Sequence, residues 1–175
     1  MMVNPRFFFF FFKGETLNMT AENAYELPGE TRRIRLNNVK ADLVLKDNRF
    51  LALDAAAGEW QTENGLYLLP KANRLRTAED MAEYWQSLTA KYPIISLEDP
   101  AGEDDWPLWQ RLTEALGERV QLVGDDLFVT QQARLELGLA RGAANAVLIK
   151  PNQVGTLTET LQTVALAQQR GYGAI

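Results

Sequence analysis

Apolar positions along the chain change their rhythm near residue 49. Residues 1–33 show no clear period, and Pro28-Gly29 marks a turn. Short apolar groups at Ile34/Leu36 and Leu43/Val44/Leu45 suggest strands. From Phe50 onward the pattern is regular. Residues 50–53 form an apolar run ending at Asp54. Thr77 can cap a helix over 77–91, in which Met81, Tyr84, Trp85 and Leu88 recur at helical spacing. Residues 94–97 predict a strand that runs into Glu98-Asp99-Pro100. Residues 105–116 predict a helix with Pro107 in its first turn, an apolar face of Trp109, Leu112 and Leu116, and Gly117 as its stop. A strand over 120–123 meets Gly124-Asp125-Asp126. Thr130 can cap a helix to about Arg141, and a strand over 146–149 ends on Lys150. Thr156 and Glu159 form a capping box for a helix to about Arg170, closed by Gly171, and residues 173–175 begin another strand.

Strands thus recur about every 25 residues with a helix between them. Near-continuous apolar strands of this kind belong in a parallel sheet covered by helices. Two architectures satisfy the pattern, a (β/α) barrel and an open doubly wound sheet. No Gly-x-Gly-x-x-Gly follows any strand, which weakens the dinucleotide-binding form of the second.

Composition narrows the chemistry. The chain has 175 residues, 46% hydrophobic and 23% charged, with a net charge of −5 that gives a nucleic-acid partner no electrostatic support. It contains no cysteine and no histidine, which excludes disulfides, zinc sites built on those residues and the usual serine, cysteine or histidine nucleophile machinery. Any metal would be a hard one on oxygen ligands, magnesium before zinc. Residues 7–12 are six phenylalanines in a row, too short a run for a bilayer, which takes about 20 apolar residues. They also lack the small-residue cleavage site of a secretory signal, and Met19 could be an internal start. No other segment reads as a membrane span.

The polar residues at the strand ends carry the functional signal. Asp54, Glu98, Asp125 and Lys150 each close a successive predicted strand. In a parallel barrel such ends meet on one face, where active sites are assembled from several strands. A single carboxylate after a strand is usually a cap or turn residue, and Asp99 and Asp126 fit that ordinary role. Three carboxylates in one space repel one another unless a cation lies among them, and Mg²⁺ suits such a set. Beside such an ion, a partly desolvated Lys150 is expected to fall from the usual lysine pKa toward neutrality, where it can act as a general base. The alternative at this point is a structural ion cluster in which Lys150 only pairs with the carboxylates.

Four stretches resemble enolase, the phosphopyruvate hydratase of glycolysis: "LALDAAAGEW" (51–60), "YPIISLEDP" (92–100), "VQLVGDDLFVT" (120–130) and "LIKPNQVGTLTET" (148–160). "EDDWPLWQRLTEALG" and "RLELGLARGAANAVLIK" resemble it as well, so the likeness runs over about residues 50–175. It implies an α/β fold, a partial TIM-type (β/α) barrel of the enolase C-terminal domain over 50–175, preceded by an unassigned segment over 1–49. It implies Mg²⁺ as cofactor, with Asp54, Glu98 and Asp125 as metal ligands. It implies Lys150 as the base that removes the C2 proton of 2-phosphoglycerate, with Glu98, Asp125 and Lys150 at the substrate. The implied reaction is reversible dehydration to phosphoenolpyruvate by a cytoplasmic homodimer, with a cell-surface or secreted pool, and with neither nucleic acid nor membrane as partner. Gly58 stands where the family commonly has serine. The family's glutamate general acid has no match in residues 1–49, and its serine-histidine-arginine motif and second lysine are expected beyond "GYGAI". The resemblance therefore implies a partial chain, inactive alone. The alternative functions are a non-catalytic enolase remnant or interaction protein, and another metal-dependent member of the wider superfamily.

Overall fold

The structure, a computed structural model, describes residues 19–27, 33–41, 50–69 and 74–175. Strands β1 (Met19–Leu27) and β2 (Arg33–Ala41) pair antiparallel, with Met19 opposite Ala41. β2 contains the Ile34/Leu36 alternation, whereas β1 lies where the sequence shows no period. The Leu43–Leu45 strand, the Pro28-Gly29 turn and the phenylalanine run lie outside the described residues.

The main sheet has five parallel strands: β3 (Leu51–Asp54), β6 (Ile94–Glu98), β7 (Gln121–Gly124), β8 (Ala146–Val147) and β9 (Gly173–Ala174). Between the first two, β4 (Tyr67–Leu69) and β5 (Arg74–Arg76) form a small antiparallel pair that the sequence pattern does not announce. The connecting helices are α1 (Ala78–Lys91), α2 (Trp106–Leu116), α3 (Gln132–Arg141), the single turn α4 (Pro151–Val154) and α5 (Leu157–Gln169). The strands stand side by side in chain order. A doubly wound sheet reverses its strand order at a switch point, and this one does not, so the chain forms an arc of a (β/α) barrel.

The helices begin and end for local reasons. Thr77 and Asp80 make a reciprocal capping box on α1, whose Met81, Ala82 and Trp85 are buried. The Asp105 side chain accepts the Leu108 N–H at 3.2 Å, and Pro107 occupies the first turn of α2. α2 stops at Gly117, but in right-handed backbone with φ −60°, not the left-handed cap expected of a terminal glycine. Glycine is required there by close approach: a Cβ would lie 2.5 Å from the Thr113 carbonyl oxygen.

Two expectations need correction. Thr130 does not cap α3; Gln131 occupies that position, and Thr130 has a left-handed backbone with φ 58°. The strand expected over 146–149 is paired as a strand only at Ala146–Val147. Leu148 and Ile149 still donate to the Gly124 and Ile175 carbonyls, so the chain stays extended up to Lys150. Pro151 then starts a helical turn, as its fixed φ and missing N–H allow at a first helical position.

The core lies between the sheet and its helices. Trp85, Trp109, Leu97, Leu112, Leu116 and Leu122 are fully buried, and a buried aliphatic side chain of this size contributes about 1.5–3 kcal/mol. Both tryptophans also use their polar edge. The Trp85 indole donates to the Pro100 carbonyl at 2.9 Å and the Trp109 indole to the Gly102 carbonyl at 3.1 Å. The segment just past Glu98 is thereby anchored from two helices. Among the described residues no helix is long and apolar enough to cross a membrane.

Candidate active site

Asp54 ends β3 and lies directly opposite Glu98, which ends β6. Asp125 follows the last residue of β7, and Lys150 follows β8 by three residues, at the N-cap of α4. Because all these strands are parallel, their C-terminal ends share one edge of the sheet. Asp125 is the best-connected of the four. One oxygen, Oδ2, pairs with the Lys150 ammonium; the other, Oδ1, accepts the Gln153 side-chain amide at 2.8 Å. Asp54 Oδ1 accepts the Ala56 N–H at 3.2 Å.

These charges perturb one another. Burial pushes the Asp54 carboxyl up to about 6 against the Ala56 hydrogen bond, and Asp125 adds to the rise. Burial also pushes Glu98 up to about 8, helped by the charges of Asp54, Asp99 and Asp125. Asp126 is raised as well, by burial first and Asp125 second. Among protein groups alone, Lys150 shifts upward. Burial alone would lower it, but the Asp125 hydrogen bond and the fields of Asp125, Glu98 and Asp126 outweigh that, and it stands above the usual lysine value. With protein groups alone around it, Lys150 is a cation held by Asp125.

Asp99 has a different task. It is buried, its backbone is left-handed at φ 40°, and its two oxygens accept the N–H groups of Asp125 and Asp126 at 3.1 and 2.9 Å. It stitches the end of β6 to the end of β7. The tightest acidic group among the described residues is accordingly Asp99, Asp125 and Asp126, whose oxygens lie within 4.8 Å of one another. It shares Asp125 with the trio expected from sequence; Asp54 and Glu98 stand outside it. The chemistry of the donors fits a hard divalent cation. They are carboxylate oxygens, Asp54 and Glu98 are raised by burial first and by neighbouring charges second, and the chain offers no softer histidine or cysteine ligand.

Residues 36–175 match the family model described as enolase, C-terminal TIM barrel domain. The chain belongs to the enolase family. It is 52% identical over 136 residues to the enolase of a Nitratiruptor species, covering 78% of this chain and 32% of that protein. It is 54% identical over 125 residues to the enolase of Wolinella succinogenes, covering 71% of this chain and 30% of that protein. The chain thus spans about a third of the length of these curated relatives.

Within this enolase-family arc, the sequence reading placed Asp54, Glu98, Asp125 and Lys150 at strand ends, and the structure brings all four to one edge. It missed Gln153 and Thr130. Gln153 lies three residues past Lys150, yet its partner Asp125 is 28 positions away; Thr130 bonds residues 18 to 23 positions away. No local pattern announces such bonds. Asp99 has the ordinary local role read for it from sequence: its left-handed backbone and its bonds to the Asp125 and Asp126 N–H groups are structural.

Proposed function

We propose that this chain supplies the cation-binding and base-bearing part of an enolase-type active site, acting in the magnesium-dependent, reversible dehydration of 2-phosphoglycerate to phosphoenolpyruvate. The observation that supports this reading is that Asp54, Glu98, Asp125 and Lys150 lie at or just past the C-terminal ends of four successive strands of a parallel arc, Asp54 opposite Glu98 and Lys150 paired with Asp125. Asp54, Glu98 and Asp125 would hold magnesium. When bound, magnesium supplies positive charge where the substrate carboxylate becomes more anionic on losing its neighbouring proton. Lys150 accepts that proton from C2 at its Nζ. To do so it must first give up its own extra proton and its contact with Asp125. Departure of the 3-hydroxyl then needs an acid, for which the family uses a glutamate that these residues do not match. The barrel domain of this reading occupies residues 50–175, and the working protein is a cytoplasmic homodimer.

One observation favours a second reading, a non-catalytic enolase-family protein with a structural ion cluster: each oxygen of Asp125 already has a protein partner, Lys150 on one and Gln153 on the other. Two measurements separate the readings. Calorimetric titration of the 175 residues with Mg²⁺ should show binding that Glu98→Gln and Asp125→Asn each remove. In a chimera completed with the remaining segments of a curated relative, phosphoenolpyruvate formation should depend on magnesium and vanish in Lys150→Ala. The 175 residues by themselves should show no turnover. A Lys150→Ala chimera that turns over at the parental rate would leave Lys150 as a structural ion-pair partner only.

A further inference from the structure

We propose that Thr130 and Gln153 are positioning residues that lock Asp125, leaving one of its oxygens to a neutral donor and the other to a cation. The inference rests on the cation-binding reading above and adds residues to it. Asp125 Oδ1 accepts the Gln153 Nε2–H at 2.8 Å while Oδ2 faces the Lys150 ammonium. A carboxylate held on one side by a charged lysine alone could rotate about its terminal torsion. The amide on the other side stops that rotation.

The amide is itself oriented. Flipped, Gln153 would place its carbonyl oxygen against Asp125, and the two would repel. The Thr130 hydroxyl prevents the flip. Its oxygen accepts the Lys150 backbone N–H at 2.9 Å, and its single hydrogen goes to Gln153 Oε1 at 2.8 Å in preference to the Leu148 carbonyl at 3.3 Å. One hydroxyl therefore fixes both partners of Asp125: Lys150 through its backbone and Gln153 through its amide. The short α4 turn makes this possible, because it brings Gln153 back over the residue that precedes Pro151.

Thr130 is held in an unusual place to do this. It is fully buried, with φ 58°, and it follows Val129 at φ 42°. Left-handed backbone at a β-branched residue is uncommon, and it persists only where surrounding contacts over-determine it. One such contact comes from α5, where the buried Thr163 hydroxyl donates to the Thr130 carbonyl at 2.8 Å. The chain of bonds runs Thr163, Thr130, Gln153, Asp125, and it joins two consecutive βα units, the one that begins with β7 and the one that begins with β8.

The test uses the 175-residue chain with Mn²⁺ as probe, followed by electron paramagnetic resonance, and nuclear magnetic resonance of the Gln153 side-chain amide. Thr130→Val keeps the shape and removes the hydroxyl; Thr130→Ser keeps the hydroxyl. Thr130→Val and Gln153→Leu should each weaken Mn²⁺ by about 10–100-fold, the usual effect of losing a group that orients a ligand. Thr130→Ser should restore the affinity. The double variant Thr130→Val/Gln153→Leu should be no weaker than Gln153→Leu alone, because both act through one bond to Asp125. Full affinity in Thr130→Val, or two losses that add, overturns the relay. If the parent chain binds no Mn²⁺, the cation reading fails, and the amide signal decides the relay alone. Slow exchange of the Gln153 amide protons in parent and Thr130→Ser but fast exchange in Thr130→Val supports it. Equal exchange in all three overturns it.

Discussion

Tyr67→Phe removes one oxygen from the middle of the molecule and tests how the segment behind Glu98 is held. Tyr67 is fully buried, and its hydroxyl makes three hydrogen bonds. It donates to Asp105 Oδ2 at 2.7 Å, and it accepts the Gly102 N–H and the Gln61 side-chain amide, each at 3.0 Å. The three losses are unequal. Gln61 is exposed and can turn to water. Asp105 keeps its cap bond to Leu108 and is half-buried, so water replaces part of the loss. The Gly102 N–H is buried, and the Tyr67 hydroxyl is its acceptor. An orphaned buried donor costs about 1–3 kcal/mol, and weakening a bond to a carboxylate adds to it, so the variant should lose about 2–3 kcal/mol. Burial pushes the Tyr67 phenol well above its ordinary range, with the Asp105 bond adding to the rise, so the hydroxyl stays a neutral donor at any workable pH and the loss should not vary with pH.

Urea denaturation followed by tryptophan fluorescence measures this directly. The midpoint should fall with an unchanged slope, and the melting temperature should drop by about 2–4 °C for each kcal/mol lost. A loss under about 0.5 kcal/mol would mean that the hydroxyl contributes no more than an ordinary surface group. The anchoring of residues 99–105 would then rest on the Trp85 and Trp109 indoles, the Asp99 bonds and Arg134.

Three further outcomes are expected. Asn145→Ala should cost about 2–3 kcal/mol in the same assay, because its amide accepts the Leu122 N–H at 2.7 Å and donates to the Gly117 and Val120 carbonyls at 2.9 and 3.0 Å. Asp54 and Glu98 have folded pKa values of about 6 and about 8, above their unfolded ones, so their contribution is complete below the unfolded values and is lost as pH rises through the folded ones. Without added cations the melting temperature should therefore fall from about pH 5 to about pH 8, and magnesium should raise it more at the higher pH; no pH dependence would contradict the crowding of these carboxylates. Strands β3 and β9 are the edges of the sheet, and Phe50, Ile95, Ile175, Leu157 and Leu161 are exposed, so light scattering should show self-association; a monodisperse monomer would contradict it.

Much of the arc was legible because its signals are local. The Thr77 cap of α1, Pro107 in the first turn of α2, the Thr156/Glu159 pair at α5 and the apolar strands running into charged residues each lie within a few positions. What escaped was short or long-range. β4 and β5 are three residues each, α4 is four, and β8 is two, too few for any period to register. Thr130 shows the competition most clearly. A threonine before a polar helix start favours a cap on local grounds, yet its hydroxyl serves Lys150 and Gln153, and the cap position passes to Gln131 without a side-chain bond. Tertiary hydrogen bonding won over local propensity.

The same contrast separates Glu98 from Asp99, adjacent acids that a sequence treats alike. Strand alternation assigns successive side chains to opposite faces. Glu98 is still strand-paired, opposite Asp54 and Val123, so it keeps the strand-end position beside its neighbours' charges. At Asp99 the backbone turns left-handed, and the side chain reaches across to two backbone N–H groups on the next strand end. Its carboxylate is thereby committed to structure. Pro100 reinforces the division: its carbonyl is claimed by the Trp85 indole, so the chain leaves the strand at a fixed place. Glu98 is left crowded and poorly neutralised, with a pKa of about 8 that records burial and unrelieved repulsion. A divalent cation would stabilise a carboxylate in that condition; burial also raises Asp99, to about 7, but its two N–H partners oppose the rise. Replacing Asp99 should loosen the Asp125 loop, and replacing Glu98 should relieve repulsion and raise the cation-free stability near neutral pH. Two neighbouring acids thus predict stability changes of opposite sign.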